Sequence, residues 1–506
     1  MMKYLFRAAA VRRSLVAPLL LTVVLLSDAC SKEEPQPRFE VSSTEIFLSS
    51  DASGEESITV RANRPWEVTY TGENFTVTKT LTDGTASEGC VTVTPTQAND
   101  EPNRRRLGSI LLHFDNDRQQ IEVAVYQRPA TATRTVLLYM PGQSLLKYYK
   151  ENIARLRSAV NTDNPGDGRM LICYQPESHY TAVLEELRYD SSTGSCKTIT
   201  LKHYDTFDTG KPEDVARLFA DAAEEAPAER YGLIIGCHGK AWIPASSGAL
   251  PRSRRAGGAA ADVWTPAAGA KPTRSFGDTG HELDITELAS VLEALPFRFD
   301  YLIFDDCFMS SIETLYDLRH AIDYVVASPC EIMAAGFPYD RILPHLFDDE
   351  ELRPQLGEIC REFWNFYQND WNTISGNEQS GCISLTVMSE LEALASEMRR
   401  VVEAPKTDFE LSELQYYKGG STKLFYDLGH YVQLSCGDQG TIDTFEAQLE
   451  RAVPSEYRFH TPSYYSAYNN LLNPITCYTG ITTSEPETTE PYASDFRHTS
   501  WYLATH

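Results

Sequence analysis

The sequence predicts an α/β protein, a mostly parallel sheet sandwiched by helices, preceded by a small all-β sandwich. Three observations predict it. From about residue 132 onward, apolar runs alternate with runs of helical period. Those apolar runs are continuous, as expected of strands buried on both faces. Residues 38 to about 128 instead hold short alternating stretches cut by Gly, Asn and Asp clusters, the pattern of an antiparallel sandwich.

The elements follow in chain order. In the first part the stretches are Ser57–Val60, Trp66–Tyr70, Cys90–Val93, Ile110–Phe114 and Ile121–Val125. Asp115-Asn116-Asp117 has the composition of a hairpin turn. In the second part, buried strands are expected at Thr135–Met140, Arg169–Tyr174, Thr198–His203, Tyr231–Ile235, Phe299–Phe304, Tyr324–Ala327 and Cys382–Val387. Helical patterns cover Pro212–Glu225, Ile285–Leu295, Ser310–Ile322 and Glu390–Val402. Asp284 and Glu287 have capping-box spacing before the second of these. Strand–helix alternation of this kind argues for a sheet covered on both faces.

Length and charge narrow the function. A chain of 506 residues is too long for one ordinary domain. Its 71 Asp and Glu against 45 Lys and Arg repel phosphate backbones, so nucleic acid is not an expected partner. Lys3, Arg7, Arg12 and Arg13 precede an apolar run from Leu15 to Leu26, of signal-peptide length and short for a membrane span. It leads to Ser27-Asp28-Ala29-Cys30, similar to a bacterial lipobox, in which Cys30 is the residue acylated. Ser27 stands where Leu is usual, and Asp28 is unusual there. Residues 1–30 are thus expected to be a lipoprotein signal peptide and residues 31–37 a tether. Ser31-Lys32-Glu33-Glu34 resembles the acidic tag of surface lipoproteins in Bacteroides-like bacteria, which implies an exported protein on the cell surface or outer membrane. The 11 Cys are scattered singly, with neither zinc-site spacing nor a disulfide framework.

Two segments share one design. Tyr231–Ile235 runs into Gly236-Cys237-His238-Gly239, and Tyr301–Phe304 runs into Asp305-Asp306-Cys307. Each places a reactive side chain just past a strand's carboxyl end, the edge at which open α/β sheets bind ligands. An imidazole beside a thiol raises the thiolate fraction and can protonate a departing amine. Gly239, without a side chain, can bring its N–H close to a tetrahedral oxyanion, joined by the N–H of Cys307. Strand alternation turns Cys237 away from the side that His238 faces, so Cys237 reads as structural. Cys330 reads as a bystander in the pocket wall.

An apolar strand ending in His-Gly, followed by another ending in Asp-x-Cys, resembles the caspase-like clan of cysteine peptidases, and within it the clostripain family. Cys237-His238-Gly239-Lys240-Ala241-Trp242 is similar to that family's His-Gly-x-x-Trp motif. Asp305-Asp306-Cys307-Phe308-Met309-Ser310-Ser311-Ile312-Glu313 is similar to its nucleophile motif, and Phe337-Pro338-Tyr339 to its Trp-Pro-Tyr. The resemblance covers roughly residues 132–506. It implies a caspase-like fold and an endopeptidase with His238 and Cys307 as its catalytic pair, acting on protein or peptide substrates through a thioester at Cys307. It also implies cleavage after Arg or Lys, with Asp305 as one acid of the specificity pocket. A second acid is expected near Ala335 and is absent, leaving Glu331 as a substitute. Relatives are activated by cleavage after a basic residue between the two catalytic segments. Residues 243–275 form an Ala-, Gly- and Pro-rich loop, and the expected cut lies near Arg252, Arg254 or Arg255. Calcium enters through the family resemblance alone, since no loop has clean calcium-ligand spacing, and no cofactor is expected for the chemistry. His281-Glu282-Leu283-Asp284-Ile285 lacks the second His of a zinc peptidase.

Residues 38–130 resemble the BACON domain of Bacteroides-type surface proteins, through Trp66 after Ala62-Asn63-Arg64-Pro65, Arg104–Arg106 and Val125-Tyr126-Gln127. That implies a glycan-binding or a spacer role. The rival to an enzyme is a glycan- or protein-binding surface lipoprotein carrying an inactive peptidase-like scaffold. An intact His238 and Cys307 argue against it.

Overall fold

The computed structural model describes residues 38–82, 87–101, 103–114, 119–245, 264–274, 278, 280–348, 351–371, 379–420, 423–486 and 492–506. The signal peptide with Cys30, the tether, the Asp115–Asp117 turn and Arg252–Arg255 lie outside the described residues.

Eight strands build the N-terminal sandwich: β1 (Phe39–Val41), β2 (Glu45–Leu48), β3 (Glu56–Ala62), β4 (Trp66–Gly72), β5 (Phe75–Leu81), β6 (Glu88–Pro95), β7 (Arg105–Phe114) and β8 (Gln120–Gln127). They form two four-stranded sheets, ordered β1-β3-β6-β5 and β2-β8-β7-β4. Alternate residues of both sheets, among them Ile58, Val60, Val91, Val93, Ile110, Leu112, Val123 and Val125, meet around the fully buried Trp66. The pairing is antiparallel except for β2 with β8, which run parallel. Lys197 Nζ reaches Glu56 Oε1 at 2.8 Å across to the second domain.

That second domain is organised by nine strands. In space they run β12 (Ser195–Tyr204), β11 (Ala182–Asp190), β10 (Arg169–Tyr174), β9 (Ala132–Met140), β13 (Ala228–Ile235), β14 (Phe299–Phe304), β15 (Tyr324–Ala327), β16 (Cys382–Val387) and the short edge strand Arg458–His460. The five central strands, β10 to β15 in that order, are parallel. Antiparallel strands close both edges. The period of two sends Leu137, Tyr139, Leu233, Ile235, Leu302 and Phe304 to one face. There they pack on helices α2 (Pro212–Glu225), α3 (Ile285–Ala294) and α4 (Ile312–Leu318). Val136, Leu138, Ile234, Tyr301 and Ile303 go to the other face, against α1 (Leu146–Ala159) and the helix Leu352–Asn365. Burial on both faces is the physical reason these strands carry no polar alternation.

The Asp284–Glu287 capping box forms at the start of α3. Strand β12 is a half-exposed antiparallel strand at one edge, not a fully buried one as its sequence suggested. Helix α4 is shorter than its pattern at both ends: Ser311 is its N-cap, Ser310 Oγ donates to Gly480 O at 2.7 Å, and the helix ends at Leu318.

Candidate active site

Strands β13 and β14 are hydrogen-bonded neighbours in parallel register, Ile235 beside Phe304. Their carboxyl ends therefore deliver His238 and Cys307 to one sheet edge. Gly239 packs so closely that a Cβ there would lie 2.3 Å from the Cys307 carbonyl oxygen. After the nucleophile segment turns, Phe308 adopts φ +65° and its N–H donates to Cys330 O at 3.0 Å. Such backbone conformations cost about 1–3 kcal/mol outside glycine. Glu313, fully buried, anchors the segment by accepting from Thr483 Oγ1 at 2.9 Å and Ser484 N at 2.8 Å.

A stretch of the connecting loop occupies this edge. Arg274 O accepts from Gly239 N at 2.9 Å and from Cys307 N at 3.4 Å. Those two N–H groups are the pair the sequence offers for an oxyanion. Arg274 N donates to Ile332 O at 2.9 Å, and Ala334 N donates to Pro272 O at 3.0 Å. Residues 272–274 thus lie as a short antiparallel strand along 332–334, in the manner of a peptide threaded into a cleft.

The Arg274 side chain is fully buried and forms an ion pair at 2.9 Å between Nη1 and Asp305 Oδ2, itself fully buried. Its remaining donors are also used: Nη1 to Asp305 O (3.1 Å), Nη2 to Asn152 Oδ1 (2.8 Å), and Nε and Nη2 to Ala334 O (3.3 and 3.2 Å). Asp305 Oδ2 also accepts from Tyr339 Oη at 2.8 Å and Phe337 N at 3.3 Å. Burial pushes the Asp305 carboxyl up, opposed by the guanidinium and the Tyr339 hydroxyl. Gly336 takes φ +68°, and a Cβ on it would lie 2.2 Å from Arg274 Nη2. Carbonyls and Asn152 thus stand where a second acid was expected. Ala335 contributes through its backbone, accepting from Asn152 Nδ2 at 2.7 Å.

Glu331 does not belong to the arginine pocket. It is buried and accepts from Thr273 Oγ1 at 2.9 Å and from Ala467 N at 3.1 Å, so it faces the residue before Arg274. The 331–335 segment runs alongside the threaded strand, so Glu331 faces Thr273 while the Ala334 carbonyl three residues on meets the guanidinium.

Cys307 is fully buried, and its Sγ accepts from Ile332 N at 3.1 Å. No hydrogen bond joins it to His238 among the described residues. Burial first, then the nearby Glu331, pushes the thiol pKa up. His238 is pushed down to about 4, chiefly by burial, with Asp278 pulling the other way. Its Nε2 lies 2.8 Å from Ser144 Oγ, which donates to Asp278 Oδ2 at 2.6 Å. Cys237 packs against the core on one face of the sheet, whereas Cys307 is buried in the cluster on the other face. Cys237 lines the same cleft as His238, Asp278 and Asp306. Burial and Asp306 push its thiol pKa well up, as burial does for Cys307. Cys330 sits in a buried cluster with Cys382, Tyr417 and Tyr464. Trp242, from the His-Gly-x-x-Trp motif, is buried and donates from Nε1 to Ser484 Oγ at 2.9 Å.

Sequence reasoning missed Arg274, Asn152, Ser144 and Asp278. Arg274 had a signal, being one of the basic residues in the loop, but nothing local ranks it above Arg252–Arg255. Among the described residues no group of three or more His, Cys, Asp and Glu could hold a metal ion.

Comparison with known proteins gives a consistent picture. The family model for the clostripain family, Peptidase_C11, matches residues 138–503. The chain is similar to a secreted C11 cysteine protease from Bacteroides thetaiotaomicron, "iotapain", at 32% identity, with 74% of this chain and 100% of that one covered and a TM-score of 0.64. It is also similar to an inactive zymogen C11 protease from Parabacteroides distasonis, at 26% identity over 75% and 99% of the two chains, with a TM-score of 0.60. A second secreted C11 protease from Bacteroides thetaiotaomicron, solved with an irreversible peptide inhibitor, shares the fold at 22% identity over 74% and 99%, TM-score 0.61. Among curated proteins none matches the chain.

Proposed function

Because this chain belongs to the clostripain family of cysteine peptidases, we propose that it is an endopeptidase cutting after arginine, held latent by its own loop and activated by cleavage of the Arg274–Ser275 bond. One observation carries the reading. The Arg274 carbonyl oxygen accepts from both Gly239 N and Cys307 N while its guanidinium fills a closed pocket on Asp305. A peptide about to be cut after arginine would be held this way.

In the proposed reaction Cys307 Sγ attacks the carbonyl carbon. The S–C bond forms as the carbonyl electron pair moves onto oxygen, under the two N–H donors. The thiol proton goes to His238, which passes it to the departing amine as the C–N bond breaks. Water then splits the thioester, releasing a carboxylic acid and returning the proton to sulfur. Specificity for arginine over lysine follows from the pocket. It meets the planar fork of donors with a carboxylate, an amide oxygen and two carbonyls, whereas an ammonium has three donors and a shorter reach.

The expected signal peptide and the secreted character of the Bacteroides relatives support export. Acylation of Cys30 would tether the enzyme, and labelled palmitate incorporation lost in Cys30→Ala tests that. A glycan partner for the β-sandwich remains a proposal of resemblance. The function is tested by incubating purified precursor with a fluorogenic library varied at the residue before the cut. Hydrolysis after Arg, lost in Cys307→Ala, is expected. Equal hydrolysis after uncharged residues would overturn the assigned specificity.

A further inference from the structure

We propose that Ser144 and Asp278 are positioning residues that hold His238 as its Nε2–H tautomer, leaving Nδ1 unprotonated to exchange the proton with substrate. This rests on His238 being the acid–base group of the reading above. A serine hydroxyl has one proton and a carboxylate has none. The Ser144 proton goes to Asp278 Oδ2 at 2.6 Å. The 2.8 Å contact between Ser144 Oγ and His238 Nε2 therefore has the imidazole as donor. In a neutral ring Nδ1 is then an acceptor. It is buried and makes no hydrogen bond of good geometry among the described residues, while the nearby Arg274 backbone favours the protonated ring, so a proton taken up on Nδ1 would sit beside the Arg274 peptide.

Asp278 is itself fixed. Its Oδ1 accepts from Gln143 N at 3.0 Å and Ser144 N at 3.2 Å, and His179 Nε2 lies 3.7 Å away. Gly142, at φ +95°, makes room for it, since a Cβ there would lie 2.3 Å from Asp278 Oδ2. These contacts are independent of residues 272–274, so Asp278 keeps its place when the Arg274–Ser275 bond is cut. It then belongs to the second fragment, while His238 and Ser144 belong to the first. The cleaved enzyme's acid–base group is thus positioned across the two fragments.

The other charged or titratable groups facing His238 are Arg274 and Lys240, which disfavour its protonation. Cys237, Asp306, His281 and Glu282 line the same cleft.

The test combines kinetics with tautomer spectroscopy on the full chain. In Ser144→Ala, kcat for a P1-Arg peptide is expected to fall about ten- to a hundredfold, with KM changed less than threefold, as a share of what acid–base transfer contributes. Ser144→Thr keeps the hydroxyl and is expected to restore most of kcat. Asp278→Asn removes a carboxylate that favours protonated His238, so the acid limb of its pH profile moves to lower pH. Histidine-labelled nitrogen NMR of the Cys307→Ala precursor, assigned with His238→Ala, is expected to show the Nε2–H form, lost in Ser144→Ala. The opposite tautomer in the precursor, or an unchanged kcat in Ser144→Ala, would overturn the proposal. An unchanged kcat in His238→Ala would instead remove the reading beneath it, whatever the tautomer.

Discussion

In the proposed activation, replacing Arg274 with Ala removes the group that would hold the bond to be cut. The side chain makes an ion pair at 2.9 Å with a fully buried carboxylate, and hydrogen bonds to Asn152, Ala334 O and Asp305 O. Removing one partner of a buried pair costs about 3–5 kcal/mol, because the other charge stays buried and uncompensated. At about 1.4 kcal/mol per tenfold, self-cleavage slows by roughly two to three and a half orders of magnitude. The assay is intact-mass spectrometry of purified precursor over time. Wild type is expected to yield fragments ending at Arg274 and beginning at Ser275, at a rate independent of protein concentration, since Arg274 already lies in the chain's own cleft. Arg274→Ala remains one chain, whereas Arg252→Ala with Arg254→Ala and Arg255→Ala is still cut. A fully active, uncleaved Arg274→Ala protein, or a first cut among Arg252–Arg255, would refute the reasoning.

Further outcomes follow from the same geometry. Gly336→Ala places a methyl 2.2 Å from the guanidinium position at φ +68°, so kcat/KM for P1-Arg peptides is expected to fall at least a hundredfold while shorter P1 residues lose less. Asn152→Ala removes an acceptor from a cation, a loss of about 1.5–3 kcal/mol, measured as a roughly ten- to hundredfold fall in kcat/KM for Arg peptides. His238, lowered to about 4 by burial, stays neutral as pH falls through the ordinary imidazole value near 6.5. The acid limb of self-cleavage is therefore expected below about pH 5, and a limb centred at 6.5 would contradict it. Glu313→Ala empties a buried site that satisfies Thr483 and Ser484. A loss of several kcal/mol in urea unfolding of the Cys307→Ala protein is expected.

Much of the architecture is legible in local sequence because the central strands must be apolar on both faces. Val136–Met140, Leu233–Ile235, Leu302–Phe304 and Cys382–Val387 are buried throughout. Strand β11 escapes notice because it carries Glu185 and Glu186 within an antiparallel pair near the edge, with Glu186 held by Arg169 and Arg188. His238 and Cys307 are visible because each follows an apolar strand directly. Asp305 is visible too, but the pocket it serves is assembled from Asn152, Ala334 and Gly336, residues whose partners lie far along the chain. Arg274 stands 31 residues from Asp305, and Ser144 is 134 from Asp278. Nothing in composition or period reports contacts across such separations.

The most direct test of the central claim is covalent labelling of the cleaved enzyme with an irreversible peptidyl ketone bearing arginine at its reactive end, read by peptide mapping. One adduct is expected, on Cys307, abolished in His238→Ala and strongly slowed in Asp305→Asn. An adduct on Cys237 or Cys330, or labelling indifferent to His238, would contradict it.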